Sequence, residues 1–414
     1  MKFFLTFIFS CIIISVFSQT DSLVIYKVNG NDEKLISLGE KLINANSGNI
    51  TDYLLLAGSY STFKQDKKAI EVLDKAIALF NDNSKAVLLK TKILYANSQF
   101  LRALKCIDKN KDSLSVNHIL LKYKVLNSLK RYKQAFYYAN KLYFKDTANY
   151  YYNYLLANTY NKLNNIKKAI EHYKKAIELN KDFADAYYKI AIIYSKSNIP
   201  QVIDSAFKYV CLADSIMPDN KRFIRTKANI LYIKKNYVDA LSEYIKLLAF
   251  DKGNHIFTFR AGACSMQLKQ YQSAYRYFKI SYNADSSNYK YAQYLGMACF
   301  YVERNKSMYY LKKAYELLQP DKLTEKSVLR QMANVSFAMG NYKESILYYS
   351  KLRKYEPENI DNIYYIAESY FKLKDYRNAL EYYNLIETDD KDFYKHITDR
   401  KRIIKENLFF EEGK

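Results

Sequence analysis

At 414 residues the chain is long enough for two or three globular domains or for one extended array. Only 9 Gly and 4 Pro are present, too few for the tight turns and hairpins of several compact domains, and no Gly- or Pro-rich linker divides the chain. A formal net charge of +23 provides a strong field for anionic partners, so nucleic acid, acidic polysaccharide and membrane surfaces all have to be weighed as ligands.

Residues 1–18 read as an export signal. Lys2 supplies the positive start, Phe3 to Phe17 is an apolar run, and Val16 and Ser18 suit a cut before Gln19. The run is shorter than the roughly 20 apolar residues a spanning helix needs, and no basic cluster follows it. Cys11 lies inside the run, followed by Ile12, Ile13 and Ile14, which argues against lipid attachment there. The expected location is therefore the periplasm, the outer membrane's surface or the cell exterior. Residues 19–49 divide into a flexible lead over Thr20 to Asn31 and a capping helix or half-repeat over Asp32 to Asn44. Leu35, Leu38, Leu42 and Ile43 share one face of that helix, and Asp32 is placed to cap it.

From residue 50 to 393 one pattern repeats. In the stretch from Tyr150 to Phe183, with Tyr150 as column 1, Leu156, Tyr160 and Leu163 make one helical face. Asn164 and Asn165 break it with turn-prone side chains. Ala169, Tyr173 and Ala176 form the inner stripe of a second helix. Small residues at columns 8, 20 and 27 let two helices approach closely, and large ones at columns 7, 11 and 24 fill the space between pairs. Column 20 recurs as Ala69, Ala103, Ala135, Ala169, Ala206, Ala240, Ala274, Ser307, Ser345 and Ala379. Five of these nine spacings are 34 residues, and the others run from 32 to 38. Repeat 2 is degenerate, with Lys90, Thr91 and Asn110 at core columns. Repeat 5 carries an insertion at Asn198 to Val202, and extra residues at Asp321 to Glu325 precede repeat 9; both are expected in loops. Residues 394–414 read as a final polar capping helix, Tyr394 to Leu408, with a short tail.

The period and the small/large pattern resemble the tetratricopeptide repeat, TPR. Asn153 and Lys181 stand where that family usually has an aromatic and a proline. The resemblance implies an all-α fold, a right-handed α-solenoid (superhelix) of about ten helix–turn–helix repeats with terminal capping helices. It also implies that columns 2, 5, 9, 12 and 13 of the first helices line a concave groove for protein or peptide partners. Mapped onto this chain, repeat 4 offers Tyr151, Tyr154, Asn158, Asn161 and Lys162, and repeat 5 offers Tyr188, Ser195 and Lys196. Repeat 6 offers Arg222, Arg225, Asn229 and Tyr232, repeat 7 Phe259 and Met266, and repeat 9 Arg330, Asn334 and Phe337. The pairs Arg225/Asn229 and Arg330/Asn334 resemble half of the clamp with which some TPR proteins hold a peptide carboxylate, where an arginine binds bidentately.

No catalytic constellation is legible. His118, His172, His255 and His396 fall in different repeats or the cap, outside any metal motif, and read as ordinary surface or loop histidines. Cys264 and Cys299 occupy neighbouring first helices, where a disulfide or two small buried thiols can be accommodated; helix spacing favours thiols. No cofactor is expected. Export, the lack of the Gly-x-x-Pro ending of RNA-reading repeats and the even spread of lysines argue against nucleic acid. The reading is a non-catalytic scaffold in the bacterial envelope. Its alternatives are an accessory factor of an outer-membrane assembly or secretion complex, peripherally attached, and a basic solenoid binding an anionic polymer.

Overall fold

The computed structural model describes residues 19–109, 115–318 and 322–412, and among them every regular element is an α-helix. The expected export signal, Asn110 and Asp321 lie outside the described residues. The chain divides into two compact units, residues 1–190 and 191–414.

The first unit opens with α1 (Gln19–Val28) and α2 (Asp32–Asn44). Four helix pairs follow: α3 (Ile50–Thr62) with α4 (Asp66–Leu79), α5 (Ser84–Ala96) with α6 (Phe100–Asp108), α7 (Val116–Ser128) with α8 (Tyr132–Lys145), and α9 (Tyr150–Lys162) with α10 (Ile166–Leu179). The helix α11 (Ala184–Tyr194) contains the division between the units. The second unit continues with α12 (Pro200–Ile216), then the pairs α13 (Lys221–Ile233) with α14 (Tyr237–Phe250) and α15 (His255–Gln267) with α16 (Tyr271–Ala284). These are followed by α17 (Tyr289–Val302) with α18 (Arg304–Glu316), α19 (Lys322–Ala338) with α20 (Tyr342–Arg353), and α21 (Ile360–Lys372) with α22 (Tyr376–Asn384). The last helix is α23 (Lys391–Glu412). Within each unit the packing is that of an α-solenoid: a helix touches its pair partner and the next pair, and first helices such as α3 and α5, or α15 and α17, also meet.

Local sequence accounts for the repeat's joints. The side chains of Asn49, Asn149, Asn220, Asn254, Asn288 and Asn359 each accept a backbone N–H of the first helix they precede. The turn inside a repeat places column 15 in the left-handed region, at Lys64, Ser98, Lys130, Asn164, Lys235, Lys269, Gly340 and Lys374. This conformation lets the next N–H reach back to an orphan carbonyl, as Asn165 does to Tyr160 at 2.9 Å. The column-20 residues all have zero exposure, since no larger side chain fits where two helices touch. Ser307 sits there by donating its hydroxyl to the Gly296 carbonyl at 2.8 Å.

Several expectations are corrected. The segment read as a flexible lead contains α1, because Leu23 inserts fully against Leu35 and Leu42. Asn31 rather than Asp32 caps α2, and Asp32 instead accepts Lys27 at 2.8 Å and Ser59 at 2.5 Å. The insertion at Asn198 to Val202 is largely helical: Pro200, which has no N–H to lose, starts α12, the longest second helix at 17 residues. The residues after Asp321 likewise lengthen α19 to 17 residues. In repeat 2, Thr91 is fully buried and satisfied by the Val87 carbonyl at 2.7 Å, while half-buried Lys90 pairs with Asp74.

Candidate functional site: the face of the first helices

Within the second unit, residues at columns 2, 5, 6, 9, 12 and 13 of the first helices line two cavities. One, of about 410 Å3, is lined by Arg330, Asn334 and Phe337 of α19, Asp361 and Tyr365 of α21, and Tyr349 beneath them. The other, of about 240 Å3, is mainly apolar and is lined by Met266, Met297, Phe300, Tyr301 and Gln331. Asn334 and Ala338 belong to both, so the two form one channel with a polar and an apolar half. Met297, Phe300 and Asp361 stand at columns 9, 12 and 2 of repeats 8 and 10, for which no groove residues were expected, and Tyr365 stands at column 6, outside the expected groove columns.

The asparagines at column 9 accept the hydroxyls of buried tyrosines. Tyr173 donates to Asn158 Oδ1 at 2.8 Å, Tyr244 to Asn229 Oδ1 at 2.6 Å and Tyr349 to Asn334 Oδ1 at 2.5 Å. In repeat 10 Tyr383 donates to Glu368 Oε1 at 2.5 Å. Each donor follows its acceptor by 15 residues. These tyrosines have almost no exposure, and burial raises their hydroxyl pKa values well above the ordinary range. A buried phenol needs an acceptor, and column 9 supplies one. In repeats 7 and 8, where column 24 is Phe278 or Leu311, column 9 is apolar Ala263 or Met297. The spacing was legible in the sequence, but an outward-facing reading of column 9 concealed it.

The two arginine–asparagine pairs are unlike. Arg330 bonds Glu356, which also holds Lys326 at 3.1 Å. Those cations hold the Glu356 carboxyl below its ordinary range, Lys326 foremost. Arg225 is exposed and has no ion pair among the described residues. Arg222 is exposed beside the Phe223 ring. Tyr232 is half-buried against Tyr237, and Phe259 touches the rings of Phe278, Tyr291 and Tyr294.

In the first unit, Tyr151 and Tyr154 stack at 6.2 Å, and Tyr154 packs against Tyr173 and Phe183. Lys162 is exposed, 5.8 Å from the Tyr132 ring centre. Tyr188 is corrected: it is buried rather than presented at the surface, since a ring at the flank of the stripe gains more by leaning into the core.

Two of the four histidines, His118 and His172, are packed rather than ordinary surface groups, whereas His396 is exposed as expected. His118 is buried and bonds Ser115 at 2.7 Å, His172 bonds Asn153 at 3.2 Å, and His396 bonds Tyr364 at 3.2 Å. Cys264 and Cys299 are free, buried thiols, pushed up to about 12 by burial. Among the described residues no group of three or more His, Cys, Asp or Glu is placed to hold a metal, and no helix is long and apolar enough to cross a membrane.

Comparison with known proteins agrees with the repeat. A family model for the TPR repeat matches residues 157–198, and one for subunit 3 of the anaphase-promoting complex (cyclosome) matches residues 338–394. Among curated proteins, none matches the sequence. Similar solved structures include the anaphase-promoting complex hetero-tetramer Cut9–Hcn1, 14% identical with a TM-score of 0.42, covering 93% of this chain and 89% of that one. The C-terminal part of a TPR repeat-containing protein from Cytophaga hutchinsonii is 17% identical with a TM-score of 0.43, covering 60% and 95%. YrrB, described as a TPR protein with an unusual peptide-binding site, is 20% identical with a TM-score of 0.42, covering 46% and 97%.

Proposed function

From the premise that the chain is a tetratricopeptide-repeat protein, we propose that it is a non-catalytic scaffold holding an extended segment of a protein partner. The observation that carries this reading is the channel formed by the two cavities that share Asn334 and Ala338. Its apolar half, with Met297 and Phe300, suits a partner's hydrophobic side chain. Its polar half, with Arg330 and Asp361, offers groups of both signs to a peptide backbone. Tyrosine-rich surfaces suit such ligands because each ring gives a large contact area at a small entropy cost.

The test is a peptide selected from a random library against the full chain, with its affinity followed from low to high salt. Little salt dependence and loss of binding on Phe300→Asp support the scaffold. A steep decline with salt that ignores Phe300→Asp favours the second reading, an anionic-polymer binder, which the net charge of +23 supports.

The apolar run from Phe3 to Phe17 supports export to the periplasm, the outer membrane's surface or the cell exterior, where the partner belongs to an envelope or secretion assembly. Sequencing the amino terminus of protein recovered from the envelope is expected to begin near Gln19. A start at Met1 would overturn export with cleavage.

A further inference from the structure

A third cavity lies apart from the first-helix face, where the linker from α22 meets α23. It measures about 440 Å3. Ile386 and Thr388 come from the linker. Tyr394, Ile397, Thr398, Lys401, Arg402, Lys405 and Glu406 come from α23, at offsets 3, 4, 7, 8, 11 and 12 from Tyr394, which is a single helical face. Ile397 is buried in the repeat 10 core, so the cavity has an apolar floor, and its rim carries three cations and one carboxylate, Glu406.

The cations are unevenly neutralised. Arg402 has Asp399 and Glu406 at 3.8 and 3.9 Å. Lys401 and Lys405, one turn apart, have no acidic partner among the described residues. The linker's Asp390 is occupied in capping α23 through the N–H groups of Asp392 and Phe393, each at 3.0 Å. Like charges one turn apart destabilise a helix. Half-buried Lys401 also has its pKa lowered, by desolvation first and by Lys405 second. Lysines elsewhere in the unit at comparable burial carry carboxylates, as Lys227 does with Asp214 and Glu243 and Lys326 with Glu356. The hydroxyl of Thr398 donates to the Tyr394 carbonyl at 2.9 Å, so among the cavity's lining groups Lys401 and Lys405 are the cations without a carboxylate beside them.

We propose that this cavity binds the phosphate of a phosphomonoester amphiphile, with Lys401 and Lys405 on the anion and Ile386, Ile397 and Tyr394 against its apolar part. A phosphate near neutral pH carries close to two negative charges, which matches two uncompensated cations. The apolar floor distinguishes the site from a surface that holds counter-ions by net charge alone.

Calorimetric titration of the full chain with hexyl phosphate, inorganic phosphate and hexanol tests this. Hexyl phosphate is expected to bind more than about tenfold tighter than inorganic phosphate, because its chain buries apolar surface, and hexanol is expected to give no heat. The double variant Lys401→Gln/Lys405→Gln is expected to weaken hexyl phosphate by about tenfold or more through loss of two charged hydrogen bonds. The double variant Lys167→Gln/Lys174→Gln, which removes the same charge from the exposed side of α10, should leave binding unchanged. Sedimentation with phosphatidylcholine vesicles, with and without phosphatidic acid, identifies the source. Binding that requires both the acidic lipid and the two lysines supports a lipid headgroup, and binding of hexyl phosphate alone supports a soluble phosphomonoester. Equal losses in both double variants, or no hexyl phosphate binding to the unaltered chain, would overturn the proposal.

Discussion

Repeats 6 and 9 carry the same two residues at the same two columns and use them differently. In both, the asparagine accepts the hydroxyl of the buried tyrosine 15 residues later. In repeat 6 the arginine, Arg225, is exposed and unpaired among the described residues. In repeat 9 Arg330 pairs with Glu356, from the segment joining α20 to α21. Repeat 10 goes further, with a carboxylate at the asparagine's column: Glu368, 3% exposed, accepts Tyr383 and pairs with Arg400 of α23 at 2.8 Å. Whether a groove cation is available is therefore decided outside the groove helix, by the residues that the neighbouring segment places beside it.

The largest expected effect breaks the closed end of this series. Arg400→Ala leaves Glu368 buried with one cationic partner fewer, and truncating one member of a buried pair costs about 3–5 kcal/mol. Denaturant unfolding reads that loss. Next, Asn229→Leu removes the acceptor of Tyr244 and leaves a buried phenol unpaired, a loss of about 1–3 kcal/mol, whereas Tyr244→Phe should cost less than the asparagine change. Thermal melts of the two variants compare them.

Arg225→Ala should leave stability within about 0.5 kcal/mol, as for a surface change away from special features. It should weaken an acidic partner peptide about tenfold, the equivalent of roughly 1.4 kcal/mol. The smallest effect sharpens the contrast from the other side. Glu356→Gln frees Arg330 and costs about 0.2–1 kcal/mol, since the pair is partly solvated. The folded-state pKa of Glu356 is depressed, so its contribution is complete above the ordinary glutamate value and is lost as pH falls through the lower, folded one. The variant should flatten that acid limb of the stability profile while strengthening binding of the same acidic peptide.

The repeat itself was legible because its cause is local. A position with no exposure between two helices admits only a small side chain, and column 20 records that constraint ten times. Column 9 was half legible: its polarity drew attention, but the pairing with column 24 emerges only when both helices of a repeat are compared. Arg330 and Glu356 are 26 residues apart, on elements without a periodic relation, so no pattern announces their contact. Tyr188 was misread because a column assigns a direction to a side chain, while burial of a large ring is settled by its neighbours. The helix at Gln19–Val28 was missed for a similar reason: one deeply inserted leucine, Leu23, secures a segment whose average composition is polar.

Partner binding along the channel on the first helices of the second unit is open to a direct test. The most direct measurement compares the affinity of a selected peptide for Met297→Glu, which puts a charge on the channel's apolar wall, with its affinity for Tyr137→Glu, an exposed ring on a second helix. With both variants folded by circular dichroism, binding is expected to be lost in the first and retained in the second. Full affinity in Met297→Glu would contradict it.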